Sequence, residues 1–191
     1  MITQKIIKAT TKFASSQMIE YPMLSKFHFD LANNIGQQIA LKVNANKKIV
    51  LMGTMLMDVE IGRAMKLSRL ADHINMGVET SKKFLSQFKN LSEDEIKLIL
   101  GCINQHHGSK KFGSLEAEVV CNADCYRFAS VRGMIGGLLS QKSKSSWEDQ
   151  IKLFDMKADE KFNALTFDFC KKELEPQYKV IKEFIRLSFV K

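Results

Sequence analysis

Six side chains of this sequence have the types and order of a dication site: His28, Asp58, His73, His106, His107 and Asp124. Imidazole and carboxylate bind a hard or borderline dication while leaving positions open for water and substrate. The chain holds four histidines in all, and each is among these six. A histidine complement spent wholly beside aspartates points to metal chemistry first.

The elements that must position these groups read as helices, because helical spacing dominates and no sustained period-2 alternation occurs. A helix from near Leu24 carries Phe27, Leu31, Ile35 and Ile39 as its apolar stripe and holds His28. Asn44 to Lys48 reads as a turn. The next helix, from about Ile49, places Leu51, Met55 and Asp58 on one face. A carboxylate on an apolar face is costly unless it is paired, hydrogen-bonded or metal-bound, so Asp58 is expected to have a partner. After a loop at Leu67 to Ala71, Asp72 is the expected N-cap of a helix running from His73 through Phe88. Ser92 and Glu95 have the spacing of a capping box and open a helix with the stripe Ile96, Ile99, Leu100 and Ile103, ending at His106-His107.

Gly108 to Ser114 is a polar loop, and Ser114 caps a helix on which Ala117, Val120, Cys121 and Asp124 share a face. A second carboxylate therefore points inward. Ser140 to Ser146 is linker-like. Beyond it, Trp147 to Glu173 and Gln177 to Val190 read as two further helices punctuated by Pro176. Their apolar residues Ile151, Phe154, Phe162, Leu165 and Phe169 are expected on the common core. The expected fold is all-α: one domain over residues 1–191, a helical core at about 25–130, and C-terminal helices at 146–190 packing back on it.

Length and composition agree with one soluble globular unit: 191 residues, 45% hydrophobic and 26% charged. No apolar run approaches the roughly 20 residues of a membrane span. The opening MITQKIIKATTKFASS lacks a continuous apolar stretch and a small-residue cleavage site, so a cytoplasmic location is expected. Cys102, Cys121, Cys125 and Cys170 follow no zinc-finger or redox spacing and read as buried free thiols. The net charge of +8 is spread along the chain, which favours a solvated basic surface over a nucleic-acid groove.

The order His, then Asp, then His, then Ile-x-x-His-His, then Ala-Asp on successive helices resembles the HD superfamily of metal-dependent phosphohydrolases. The matching segments are HFDLANNIGQQIA around His28, MLMDVEIGRA around Asp58, DHINMGVETSKKFL around His73, INQHHGS around His106 and EAEVVCNADCYRFA around Asp124. They span about Ser25 to Ala129. The resemblance implies an HD-type helical bundle. It also implies metal ligation by His28, Asp58 and Asp124 at a first position, and by Asp58, His73 and His106 or His107 at a second. One or two ions of iron, manganese, zinc or cobalt suit such ligands.

One member departs from the pattern. Where the family has the histidine of its His-Asp doublet, this chain has Met57. A thioether is a poor ligand for a hard dication, so the first position is expected to be weakened and the second intact. His107 is a candidate replacement for the missing ligand. Asp58 is the expected catalytic anchor. Lys110, Lys111, Arg63 and Arg127 are candidate contacts to substrate phosphate, and Glu60 reads as a helix-surface carboxylate with an acid–base role as the alternative.

The function implied is hydrolysis of a small phosphorylated compound such as a nucleotide. The alternative is an HD-like ligand-binding or interaction domain that has lost its metal chemistry. A di-iron oxygenase and a nucleic-acid-binding role stand behind these two.

Overall fold

The computed structural model describes residues 1–23, 25–140 and 146–189. Leu24, the expected start of the His28 helix, lies outside them, as do residues 141–145 of the linker-like stretch and Val190. Among the described residues the chain is all-helical. No described helix is long and apolar enough to cross a membrane.

Short polar side chains set most of the helix starts. Thr3 caps α1 (Gln4–Glu20), Ser25 caps α2 (Lys26–Val43) and Asn46 caps α3 (Lys47–Leu56), each accepting from backbone amides of the first turn. Asn44 closes α2 at φ 56°, in the left-handed region that asparagine tolerates better than most residues. The chain then turns through Met57–Glu60 into the short α4 (Ile61–Lys66) and a 3-10 turn at Leu70–Asp72. Asp72 makes no cap. Its carboxylate pairs with Arg69 at 3.0 Å instead, and α5 (His73–Leu85) continues directly from the 3-10 turn. The capping box of Ser92 and Glu95 forms as expected and opens α6 (Glu93–Gln105). Ser114 caps α7 (Leu115–Ala129) by accepting from the Ala117 amide.

The organising element is α7. It packs against α2, α3 and α6, and against α8 (Val131–Ser140), α9 (Trp147–Asn163) and α10 (Asp168–Ser188). Val119 through Arg127 are all buried. A helix buried all round is usually apolar all round. This one carries Asn122, Asp124 and Arg127 inside, so each of those polar groups needs a partner. Close approach is secured by small residues at the crossings. At Gly53 of α3 an added Cβ would stand 2.6 Å from Cys102 of α6.

The C-terminal helices depart from the expected breaks. Pro176 does not punctuate; it lies inside α10 on an exposed face, where water can serve the carbonyl it leaves unbonded. The break falls instead at residues 164–167. There the buried Asn122 amide accepts from the backbone amides of Thr166 and Phe167 and donates to Thr166 Oγ1 and Glu118 O. A side chain of α7 thus supplies the hydrogen bonds that a continuing helix would have made. Leu165, Cys170 and Leu174 join the main core, whereas Ile151 and Phe154 form a second cluster with Met134, Ala158, Ile181 and Ile185. All four cysteines are buried free thiols.

Candidate metal centre

Asp58 stands just beyond the end of α3, in the turn, and its side chain is 1% exposed. Met55 on the same stretch is buried and Met57 is packed in the main core. The expected partner of Asp58 is therefore reached past a helix end.

Three histidines converge on it. His106 Nε2 lies 3.4 Å from Asp58 Oδ1, and His73 Nε2 lies 3.9 Å from the same atom. The His107 ring lies 4.3 Å from that of His106 and 5.1 Å from that of His73, centroid to centroid. One ligand atom from each of Asp58, His73, His106 and His107 fits within 4.8 Å of the others.

The backbone fixes the tautomers. His73 Nδ1–H donates to Leu70 O and His106 Nδ1–H to Ile103 O, both at 2.7 Å. Since a carbonyl only accepts, each Nδ1 holds a proton, and a ring with no second proton turns its Nε2 lone pair toward Asp58. Those two Nε2 atoms and Asp58 Oδ1, the oxygen turned away from Arg127, are buried without a hydrogen-bond partner among the described residues. Lone pairs aimed at one point, with the opposite ring nitrogen held by a carbonyl, are the arrangement that metal-binding imidazoles show. A dication fits this group.

The first position of the expected ladder is different. The Arg127 guanidinium lies between the two aspartates: Nη1 pairs with Asp58 Oδ2 at 2.7 Å, and Nη2 pairs with Asp124 Oδ1. Lys161 of α9 pairs with the other Asp124 oxygen at 2.7 Å. Burial alone would raise the Asp58 and Asp124 pKa values, but Arg127 pulls both well below the carboxylate range, with Lys161 adding to the effect at Asp124. Burial likewise works against the charge on Lys161, and Asp124 more than restores it.

His28 stands apart from the histidine cluster. Its Nε2–H donates to Gly133 O at 2.9 Å, and its ring packs against Phe128. An added Cβ at Gly137 would stand 2.8 Å from that ring, so the glycine makes the seat. With Met57 in the core, His28 turned to a carbonyl and Asp124 in two ion pairs, the residues at the first position do not fit a dication.

His28 carries a pH prediction. Burial first, then the nearby Arg127 charge, lowers its pKa from 6.5 to about 4. The folded state thus holds it neutral where an unfolded chain would protonate it. That stabilisation is complete above about pH 6.5 and is lost as pH falls toward about 4. At 1.36 kcal/mol per pH unit the loss is about 3 kcal/mol. In urea unfolding, the stability gap between wild type and His28→Gln should narrow by that amount from about pH 7.5 to about pH 4. A gap that stays constant rejects the assignment.

The remaining candidates sort by position. His107, partly exposed, joins the Asp58–His73–His106 group rather than supplementing Asp124. Arg127 lines the cavity beside that group, as the phosphate reading asked, but its guanidinium is committed to the two carboxylates. Lys110 and Lys111 are exposed on the loop after α6 and do not line the cavity. Arg63 also stands off it, paired with Glu60 at 3.3 Å. Glu60 corrects the surface reading: it is 2% exposed, because the turn after α3 folds it inward.

Lys161 is the residue that the sequence reading missed. A signal was present, since Lys161 follows Phe154 and Ala158 at seven and three residues, in phase with the apolar stripe of α9.

The cavity, about 190 Å³, opens beside the cluster and is lined by Asp58, His73, His107, Arg127 and Lys161. Met23, Ile61, Leu70, Phe128 and Leu153 supply its apolar lining.

No family model and no curated protein matches this chain. Solved structures do. A structure described as a predicted HD superfamily hydrolase from an uncultured Thermotogales bacterium superposes with a TM-score of 0.68 at 13% identity, covering 94% of this chain and 88% of that one. The chain has the HD-superfamily fold. An HD-superfamily hydrolase from Bacillus thuringiensis gives 0.61 at 18% identity, over 96% of this chain and 95% of that one. Bacillus subtilis YpgQ in complex with ADP gives 0.61 at 17%, over 95% and 94%.

Proposed function

We propose that this protein is a hydrolase of a small phosphorylated compound, with one dication held by Asp58, His73, His106 and His107. The observation that carries the proposal is the pair of Nε2 lone pairs aimed at Asp58, each set by an Nδ1–H bond to a backbone carbonyl. Iron, manganese, zinc or cobalt suits one carboxylate and three imidazoles. When bound there, such an ion supplies a Lewis acid for a phosphoryl oxygen.

The chain's own residues favour an anionic substrate. Asp58 and Asp124 are balanced by Arg127 and Lys161, so a dication in the histidine group leaves the site with a formal surplus of two positive charges. Arg127 and Lys161 line the cavity and present that surplus to whatever enters. The apolar walls exclude water and receive the uncharged part of the substrate. The ADP held by YpgQ belongs to the ligand class that such a site would take.

The test is metal content and turnover together. Protein purified without chelator should carry close to one transition-metal ion per chain and release phosphate from some member of a nucleotide and sugar-phosphate panel. A chelator should abolish release, and a dication should restore it. Met57 and the ion pairs on Asp124 favour a second reading, a binding domain without turnover. Absence of both metal and turnover would select that reading.

A further inference from the structure

We infer that Arg127 and Lys161 together take the place of the first dication of a two-metal HD site, so that this chain is built for no more than one ion. Three departures at the first position, at Met57, His28 and Asp124, then have one cause. An arginine and a lysine carry the two positive charges that a dication would bring to Asp58 and Asp124. The guanidinium is planar and forked, so it reaches both carboxylates at once, one through each terminal nitrogen. Lys161 serves the remaining Asp124 oxygen at 2.7 Å. With the charge supplied from within, position 57 needs no ligand and holds a core methionine, and His28 spends its Nε2–H on Gly133 O.

The arrangement is closed as well as neutral. The side chains of Asp58, Asp124, Arg127 and Lys161 are all 5% exposed or less. Buried charges persist only when paired, so an ion could enter only by displacing both cations from the carboxylates they already pair with. The inference concerns the Asp124 side of the site and does not require that the protein hydrolyse anything.

Ion stoichiometry, measured by calorimetric titration with Mn²⁺ and by elemental analysis after dialysis, tests it. Wild type should bind no more than one ion per chain, and Met57→His alone should add none, because Arg127 still bridges the carboxylates. The triple variant Met57→His/Arg127→Met/Lys161→Met should bind one ion more than wild type. It should also depend on that ion for folding, with a Tm rise of about 5–10 °C on adding Mn²⁺. Two ions in wild type, a gained ion in Met57→His, or a folded triple variant with no gain would each overturn the inference. Should the triple variant fail to fold in either buffer, the wild-type and Met57→His stoichiometries decide. If wild type binds no ion while the triple variant binds one, the proposed hydrolytic centre falls and this inference stands.

Discussion

Arg127→Met should cost roughly 3–5 kcal/mol of unfolding free energy at neutral pH in chelator, the range for removing one member of a buried ion pair. The substitution leaves Asp58 and Asp124 facing each other in a dry interior, with Lys161, among the described residues, the one buried cation still paired to Asp124. The cost comes from stranded charge rather than from lost packing, because methionine fills most of the arginine stem. A double-mutant cycle separates the two causes. Asp124→Asn alone strands one positive charge. Combined with Arg127→Met it restores the charge balance, one carboxylate against one ammonium, so the double variant should be more stable than the sum of the singles by about 2–3 kcal/mol. Additive losses in urea unfolding would mean that the guanidinium contributes packing only, and the charge argument for the first position would fail with it.

Asp58→Asn should leave a folded protein whose dication affinity and turnover are each reduced at least roughly 100-fold, since even an outer-shell partner of a metal ligand costs 10–100-fold. Asp58 is the sole carboxylate of the four-residue group. Asparagine keeps its volume but removes the charge that binds the ion. Folding is retained because the loss leaves Arg127 still paired with Asp124. Metal content and phosphate release should fall together. Turnover that survives the loss of Asp58 would place the chemistry elsewhere.

The two carboxylates were legible in the sequence because charge on an apolar helical stripe is a local signal. So were the capping box of Ser92 with Glu95 and the Ser114 cap, which depend on residues three apart. What escaped was set by distant residues or by weak patterns. Helix α1 buries Ile6, Thr10 and Ala14, a face with one strongly apolar residue, and Thr10 settles its hydroxyl on Ile6 O. Helix α8 holds Gly133, Gly136 and Gly137, which lower helix propensity; tertiary packing uses them for close approach to Arg127, Phe27 and His28. The break before α10 is imposed by Asn122, more than forty residues upstream. Arg127 stands three residues from Asp124 on α7, a readable spacing, but its pairing with Asp58 has none, because α7 and the turn after α3 meet only in the folded chain.

The ion pair between α7 and α9 sets an order of events. Asp124 and Arg127 are synthesised before Lys161, and a chain folded only through α8 would hold two carboxylates against one cation. The interior reaches neutrality only when α9 docks and delivers the last charge. If α9 docks after the rest of the core has formed, Lys161→Met should speed unfolding far more than it slows folding. The helix that follows the linker-like stretch thus carries the charge that closes the Asp124 side of the site.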